Sequence, residues 1–321
     1  MTSPHPCLRV IVRADLLRDH DLKRIEASCA GWASVERTAE QPATDISRQN
    51  LLLADVVVGW ASPEALLASK ARYYLCGSAG IDAYRHTGLE SKAGFTICNA
   101  AGTMTIPIAE HALSFMMMAE RALFAHAAQQ RERVWKRIPD AGELHGSTVC
   151  IVGFGLSGRE LAVRSRALGM RVIGVRRSVD IDPIVDAMYP PEQLAEAVAT
   201  ADHVVCCLPG GVETQRVFNH GIFAAMKVGA SFHAVSRGSV IDFAALEDAL
   251  LSGHLKFAGL DVCDPEPLPQ GSPLWEMSNV LLTSHSAGWS PRLADRLCDL
   301  FVENLQNIRD GQPLRNVVSL H

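Results

Sequence analysis

The sequence predicts an α/β protein built on parallel sheets, and three observations carry that prediction. Short β-rich runs alternate with helix-like segments, the pattern of parallel strands joined by crossover helices. The alternation occurs twice, on either side of a long helical stretch, and 321 residues suit two domains of ~150 residues each. The second series opens on a glycine-rich strand-to-helix turn, GFGLSG, from Gly153 to Gly158.

The first series runs LRVIV from Leu8, LLLADVVVGW from Leu51, a helical SPEALLASKA from Ser62, RYYLCGSAG from Arg72 and FTICNA from Phe95. A single long helix is then expected from Thr105 to Arg137, with Pro107 near its start and basic residues at its end. The second series contributes six strand candidates, in STVCIVGFGLSG, MRVIGVRRS, ADHVVCCLPG, ASFHAVSRG, KFAGLDVC and NVLLTSH. With helices between several of them, they make a doubly wound nucleotide-binding domain. The last stretch places Leu293, Leu297, Leu300, Phe301, Leu305 and Ile308 at helical spacing. Such a helix can return to the first domain and make it discontinuous.

Composition removes several classes. Hydrophobic residues at 48% and charged residues at 20% describe a chain able to fill a core. A net charge of −5 lacks the basic footprint of a general nucleic-acid binder, so no nucleic-acid partner is expected. The longest apolar runs are broken by Asp55 and by Glu110 and His111, short of the ~18 residues of a membrane span, so no membrane partner is expected either. The start has no basic, apolar leader, and the expected location is cytoplasmic. Nine cysteines without a C-x-x-C pair argue against a disulfide framework and against a zinc knuckle, and no metal is expected.

GFGLSG has a strand before it and a helix after it, the context in which G-x-G-x-x-G binds a dinucleotide. Gly153 permits the tight turn, Gly155 lets backbone approach a pyrophosphate, and Gly158 allows helix and strand to pack closely. The N-terminus of the helix that follows is left aimed at the anion. An acid about 20 residues on would read a free ribose 2′-hydroxyl. The chain instead has Arg176, Arg177 and Ser178, with Arg176 eighteen residues after Gly158. Two guanidinium groups and a hydroxyl suit a 2′-phosphate, so NADP(H) is expected, with NAD as the alternative should the arginines be solvated loop charges beside Asp180 and Asp182.

Six blocks in order resemble the D-isomer-specific 2-hydroxyacid dehydrogenase family, most closely its glyoxylate and hydroxypyruvate reductase branch. They are GSAGID from Gly77, IAEHAL from Ile108, GFGLSG, SRGSVID from Ser236, GLDVCDPEPL from Gly259 and NVLLTSHSAG from Asn279. The resemblance implies a Rossmann-type doubly wound parallel sheet, residues 103–287, inserted into a smaller flavodoxin-like α/β domain, residues 1–102 and 288–321. It puts catalysis in a cleft at the carboxyl ends of the cofactor-domain strands, on Arg237, Glu266 and His285. It also places Ser78, Ala79 and Gly80 on the substrate carboxylate, Leu208 and Pro209 at the nicotinamide ribose, Val235, Ser236 and His285 among the cofactor contacts, the Leu156 and Ser157 amides and Thr214 at the phosphates, and Asp261 as acceptor for the carboxamide. Further implications are a homodimer, and a substrate pocket around Trp60, Tyr73, Tyr74, Met104, Trp135 and Trp289. Trp135 and Trp289 stand either as lids, as contacts across a dimer, or as packing residues.

The chemistry fits these residue types. Reducing a 2-oxo acid to a 2-hydroxy acid needs a hydride, a proton for the carbonyl oxygen and a clamp for the carboxylate. The planar, always-charged fork of Arg237 suits the clamp. An imidazole, titrating near pH ~6.5, can both give and recover a proton, which suits His285, with Glu266 orienting the ring. The other histidines His111, His145, His203, His233 and His254 read as structural or exposed. Ala234 and Ser284 depart from the family's usual Asn and Pro and touch the expected rate rather than the expected reaction. The alternative function is a non-catalytic, dinucleotide-sensing binding protein or corepressor on the same fold.

Overall fold

The computed structural model describes residues 7–13, 15–38, 51–178, 180 and 182–320. The first six residues, on which the leader expectation rests, lie outside them. The chain divides into two compact units, Met1–Met104 with Ser290–His321, and Thr105–Trp289.

The first unit is a parallel sheet of β1 (Leu8–Arg13), β2 (Ala33–Arg37), β3 (Val56–Gly59), β4 (Tyr73–Cys76) and β5 (Thr96–Cys98), in the order β2-β1-β3-β4-β5. That is the flavodoxin-like order. β2 was not legible in the sequence, because ASVER is an edge strand without a clean apolar alternation. One face of this sheet, Val10, Val12, Val56 and Val58, is covered by Leu293, Leu297, Leu300, Phe301 and Leu305 of the helix Leu293–Asp310. The helix ends on Gly311, whose φ of 63° is the left-handed conformation a glycine adopts without cost.

The second unit carries β6 (Thr148–Val152), β7 (Arg171–Val175), β8 (Ala187–Tyr189), β9 (His203–Cys206), β10 (Ala230–Ala234), β11 (Leu255–Leu260) and β12 (Val280–Leu282). The order is β12-β11-β10-β9-β6-β7-β8, all pairs parallel. The doubly wound fold is therefore present with seven strands rather than six. The additional β8 is a three-residue edge strand, too short to register as a period. Strand order reverses between β6 and β9, so the ligand crevice of such a sheet falls at their carboxyl ends.

The expected long helix is two helices, Thr105–Glu120 and Leu123–Arg131. Ala122, at φ 49°, breaks the α ladder. Neither Gly nor Pro marks the break. What holds it is tertiary: Glu120 pairs with Lys256 and His203, and the Arg121 guanidinium donates to the Gly142 carbonyl at 2.8 Å. Among the described residues no helix is long and apolar enough to cross a membrane. All nine cysteines are free thiols, six of them buried.

Candidate active site

Two of the three motif glycines of the second unit answer steric demands within the fold, and the third opens onto free space. Gly153 has φ 96°, and a side chain there would lie 2.6 Å from the Cys207 carbonyl carbon, so its absence lets the end of β6 meet the chain leaving β9. Gly158 faces the Gly153 carbonyl and Ile151, where a Cβ would sit at 2.8 and 3.0 Å. Gly155 has nothing within 4 Å of its missing Cβ. It caps the helix Leu156–Ala167, whose first-turn amides, including those of Leu156 and Ser157, have no partner inside the helix. Open space before a helix N-terminus at the switch point suits a dinucleotide pyrophosphate.

The residues expected at the ribose follow β7. Arg176 donates from Nε to the Ser178 carbonyl and from Nη2 to the Asp180 carbonyl, both at 2.6 Å. Arg177 lies 3.5 Å from Glu213 on the surface. The Ser178 hydroxyl donates to Asp180 at 2.6 Å, so in this structure its proton is spent on a carboxylate. The Thr214 hydroxyl donates to its own loop, at the Pro209 carbonyl, 2.8 Å away. Leu208 and Pro209 follow β9. Val235 and Ser236 follow β10, with Ser236 Oγ 3.3 Å from Cys206 Sγ.

Arg237, Glu266 and His285 stand on three loops of the same unit, after β10, β11 and β12. The Arg237 and Glu266 loops approach closely because of Gly238. A Cβ on Gly238 would lie 1.9 Å from the Cys263 carbonyl oxygen, so only glycine lets the two backbones touch. Arg237 Nη1 donates to the Ser236 carbonyl at 2.8 Å, and the stem packs toward Gly210, where a Cβ would lie 3.2 Å from Arg237 Cγ. Glu266 accepts the Cys263 amide at 3.1 Å on one oxygen and faces His285 Nδ1 at 2.8 Å with the other. The His285 and Glu266 side chains are 46% and 37% exposed, so the pair is reachable from solvent. His285 has φ 51°, a conformation that costs a residue with a Cβ roughly 1–2 kcal/mol and is held by the surrounding structure.

Asp261 supplies that hold. Its side chain is buried. One carboxylate oxygen accepts from the Thr283 hydroxyl at 2.6 Å and the Ser286 amide at 2.9 Å; the other accepts the Ala287 amide at 2.9 Å. Its carbonyl accepts the His285 amide at 2.8 Å. One hydroxyl and two backbone amides on its carboxylate make Asp261 an organiser of the histidine loop. Local spacing gave no hint of this, because the residues that meet are 22 to 26 positions apart.

In the first unit, Ser78, Ala79 and Gly80 form the loop after β4. The Asn99 side chain donates to the Ala79 carbonyl at 2.8 Å, and the Ala100 amide to the Ser78 carbonyl at 2.9 Å. Asn99 is thus a positioning residue that motif reading missed. Tyr74, expected in a pocket, is fully buried and donates to the Gly59 carbonyl at 3.0 Å, which removes it from any lining. Trp135 and Trp289 are exposed and are not packing residues. His20, Asp21 and Asp295 bring three possible metal ligands together, with Arg18 paired to both carboxylates and offsetting one of their two charges.

Residues 113–287 match the family profile described as D-isomer specific 2-hydroxyacid dehydrogenase, NAD binding domain. A glyoxylate reductase of Korarchaeum cryptofilum is 30% identical over 273 residues, covering 83% of this chain and 79% of that protein. A D-3-phosphoglycerate dehydrogenase of Archaeoglobus fulgidus is 31% identical over 231 residues, 72% of this chain; the match spans 44% of the relative's length. Among solved structures, an NADPH-dependent glyoxylate/hydroxypyruvate reductase from Sinorhizobium meliloti, in complex with NADP and sulfate, superposes with a TM-score of 0.80 at 26% identity. That superposition covers 98% of each chain. The ordered motifs, the two parallel sheets and these matches agree, and the chain belongs to the D-isomer specific 2-hydroxyacid dehydrogenase family.

Proposed function

We propose that the protein is an NADP(H)-dependent D-2-hydroxyacid dehydrogenase, an oxidoreductase that reduces small 2-oxo acids of the glyoxylate or hydroxypyruvate kind. The observation that carries this reading is the His285–Glu266 pair. It is hydrogen-bonded at 2.8 Å, reachable from solvent, and lies in the same unit as a turn fit for a dinucleotide.

The dinucleotide, when bound along Gly153, Gly155 and Gly158, supplies the hydride. His285 supplies the proton. Its Nδ1 is committed to Glu266, so Nε2 is the nitrogen that gives a proton to the carbonyl oxygen and takes one back in the reverse direction. Glu266 fixes the ring and sets a negative charge beside the imidazolium. Arg237 clamps the substrate carboxylate, its guanidinium braced on the Ser236 carbonyl.

The NADP preference is supported by Arg176, which stands directly after β7 where a ribose-binding acid would otherwise stand, and by the NADP-bound relative. The Asp180 and Asp182 carboxylates nearby limit how strong that preference is.

The test is a panel of glyoxylate, hydroxypyruvate and pyruvate, each with NADPH and NADH, followed by nicotinamide absorbance. Turnover of at least one acid, about tenfold more efficient with NADPH, is expected. Tight dinucleotide binding without turnover would point to a sensor and overturn the reading; a preference for NADH would overturn the cofactor assignment alone. The enzyme is further proposed to be a homodimer, on the resemblance. A light-scattering mass of 34.7 kDa, one chain, would sink that.

A further inference from the structure

Behind His285 lies a second set of polar groups that hydride and proton transfer do not use. His111 rides on the helix Thr105–Glu120 with its Nε2 2.9 Å from Thr283 Oγ1 and 3.7 Å from the nearer Asp261 oxygen. Its ring meets Phe115 edge-on, centroids 4.6 Å apart. Phe115 in turn occupies the space left by Gly259, where a Cβ would lie 2.4 Å from the phenyl ring. That close approach sets the helix against β11 and brings His111 to Thr283 and Asp261.

The protons in this set can be placed by counting. A carboxylate only accepts, so the Thr283 hydroxyl gives its single proton to Asp261 Oδ1, 2.6 Å away. Thr283 Oγ1 then has only lone pairs to offer, and His111 must be the donor through Nε2–H. Burial lowers the proton affinity of the His111 ring and outweighs the opposing pull of Asp261, in keeping with a neutral Nε2–H imidazole. The direction of donation is therefore His111 to Thr283 to Asp261. Asp261 receives on its other lone pairs the amides of Ser286 and Ala287, and on its carbonyl the amide of His285.

We propose that His111 and Thr283 are positioning residues for His285: the donor chain fixes the orientation of Asp261, and Asp261 holds residues 285–287 in the left-handed turn that aims the His285 ring at Glu266. The proposal rests on the reading of His285 as the proton donor. It adds that the aim of that donor is set from a helix 172 residues away in sequence from Thr283. Without the Thr283 hydroxyl, one Asp261 oxygen loses its strongest partner and the His111 N–H loses its acceptor. The turn at 285–287 then has a loosened anchor.

Thr283→Val removes the hydroxyl at constant shape, and Thr283→Ser restores it; His111→Leu removes the donor, and His111→Gln supplies another N–H. Thr283→Val and His111→Leu are expected to lower kcat about 10- to 100-fold, the usual effect of a small misplacement of a reacting group. KM for the 2-oxo acid and Kd for NADPH should stay within about twofold, and the Ser and Gln variants should recover most of the rate. Wild-type kcat in Thr283→Val overturns the proposal, as does a loss that Thr283→Ser fails to rescue. A crystal structure of Thr283→Val gives a readout independent of turnover. His285 leaving positive φ, or its Nδ1 leaving hydrogen-bond reach of Glu266, supports the proposal; an unchanged turn overturns it. If the wild type reduces none of the acids, the functional reading fails while this structural comparison still decides the positioning role.

Discussion

Two of the histidine–carboxylate pairs in the second unit have similar geometry and opposite surroundings. His285 faces Glu266 at 2.8 Å with both side chains reachable from solvent. His203 faces Glu120 at 3.2 Å, with the histidine fully buried and the glutamate 9% exposed. The buried pair continues through Ser231, 2.7 Å from His203 Nδ1 and 3.0 Å from His233 Nε2, and Lys256 meets the same Glu120 oxygen that faces His203. It contains the serine, histidine and carboxylate of a hydrolytic triad, but no substrate can reach the serine. Access, rather than residue type or distance, separates a group that a ligand can reach from one that holds strands and helix together.

The sharpest way to break that distinction is to remove each member in turn. His285→Ala should cost about 10²- to 10⁴-fold in kcat, the range for losing a general acid, with the melting temperature and NADPH affinity near wild type. An equal loss of both activity and stability would make His285 structural. Glu120→Gln should do the reverse, destabilising the protein by about 3 kcal/mol in denaturant unfolding through the loss of a buried partner, while kcat of the folded enzyme holds. A variant as stable as wild type would mean that the buried network contributes nothing measurable.

Acid titration separates the pairs next. Burial pushes the Glu120 carboxyl up, but hydrogen bonds and charge from His203 and Lys256 outweigh it and hold the group at about 2, against an ordinary value of 4.5. The unfolded chain therefore takes up that proton first. The stabilisation is complete above about pH 4.5 and is lost as pH falls toward 2. Burial, with the nearby His203 and Lys256, also keeps His233 neutral well below its ordinary 6.5, so its share begins to fade lower than that value and with the same sign. Chemical unfolding measured from pH 7 downward should show stability falling monotonically, with the lowest segment missing in Glu120→Gln. The smallest effect belongs to the surface. Arg176→Ala should cut the NADPH-over-NADH ratio about tenfold and leave stability within ~0.5 kcal/mol, because a solvated cation selects a ligand more than it holds a fold.

What the sequence made legible follows the same division. The glycine turn and the strands around it could be read because their chemistry demands residues at fixed spacing: Gly153 and Gly158 each meet a separate steric need, and Gly155 keeps the space before the helix open. β2 and β8 escaped because short edge strands carry little apolar periodicity. The break at Ala122 escaped because its cause lies in Glu120 and Arg121 reaching Lys256 and Gly142, not in a local breaker. The donors to Asp261, Thr283, Ser286 and Ala287, escaped because they sit on a different loop that only the fold brings to it. Glu120, His203, Ser231 and His233 had no pattern at all. They are joined by strand register, Ser231 lying beside His203 across β10 and β9.

The return of the final helix to the first sheet also has a consequence for synthesis. Val10, Val12, Val56 and Val58 emerge from the ribosome early, but the Leu297, Leu300, Phe301 and Leu305 side chains that cover them emerge last. All of Thr105–Trp289, with its own sheet and core, is made in between. The second unit can therefore finish folding on the nascent chain while the first waits with an apolar sheet face uncovered. That waiting interval is when the polypeptide is most exposed to aggregation or chaperone capture.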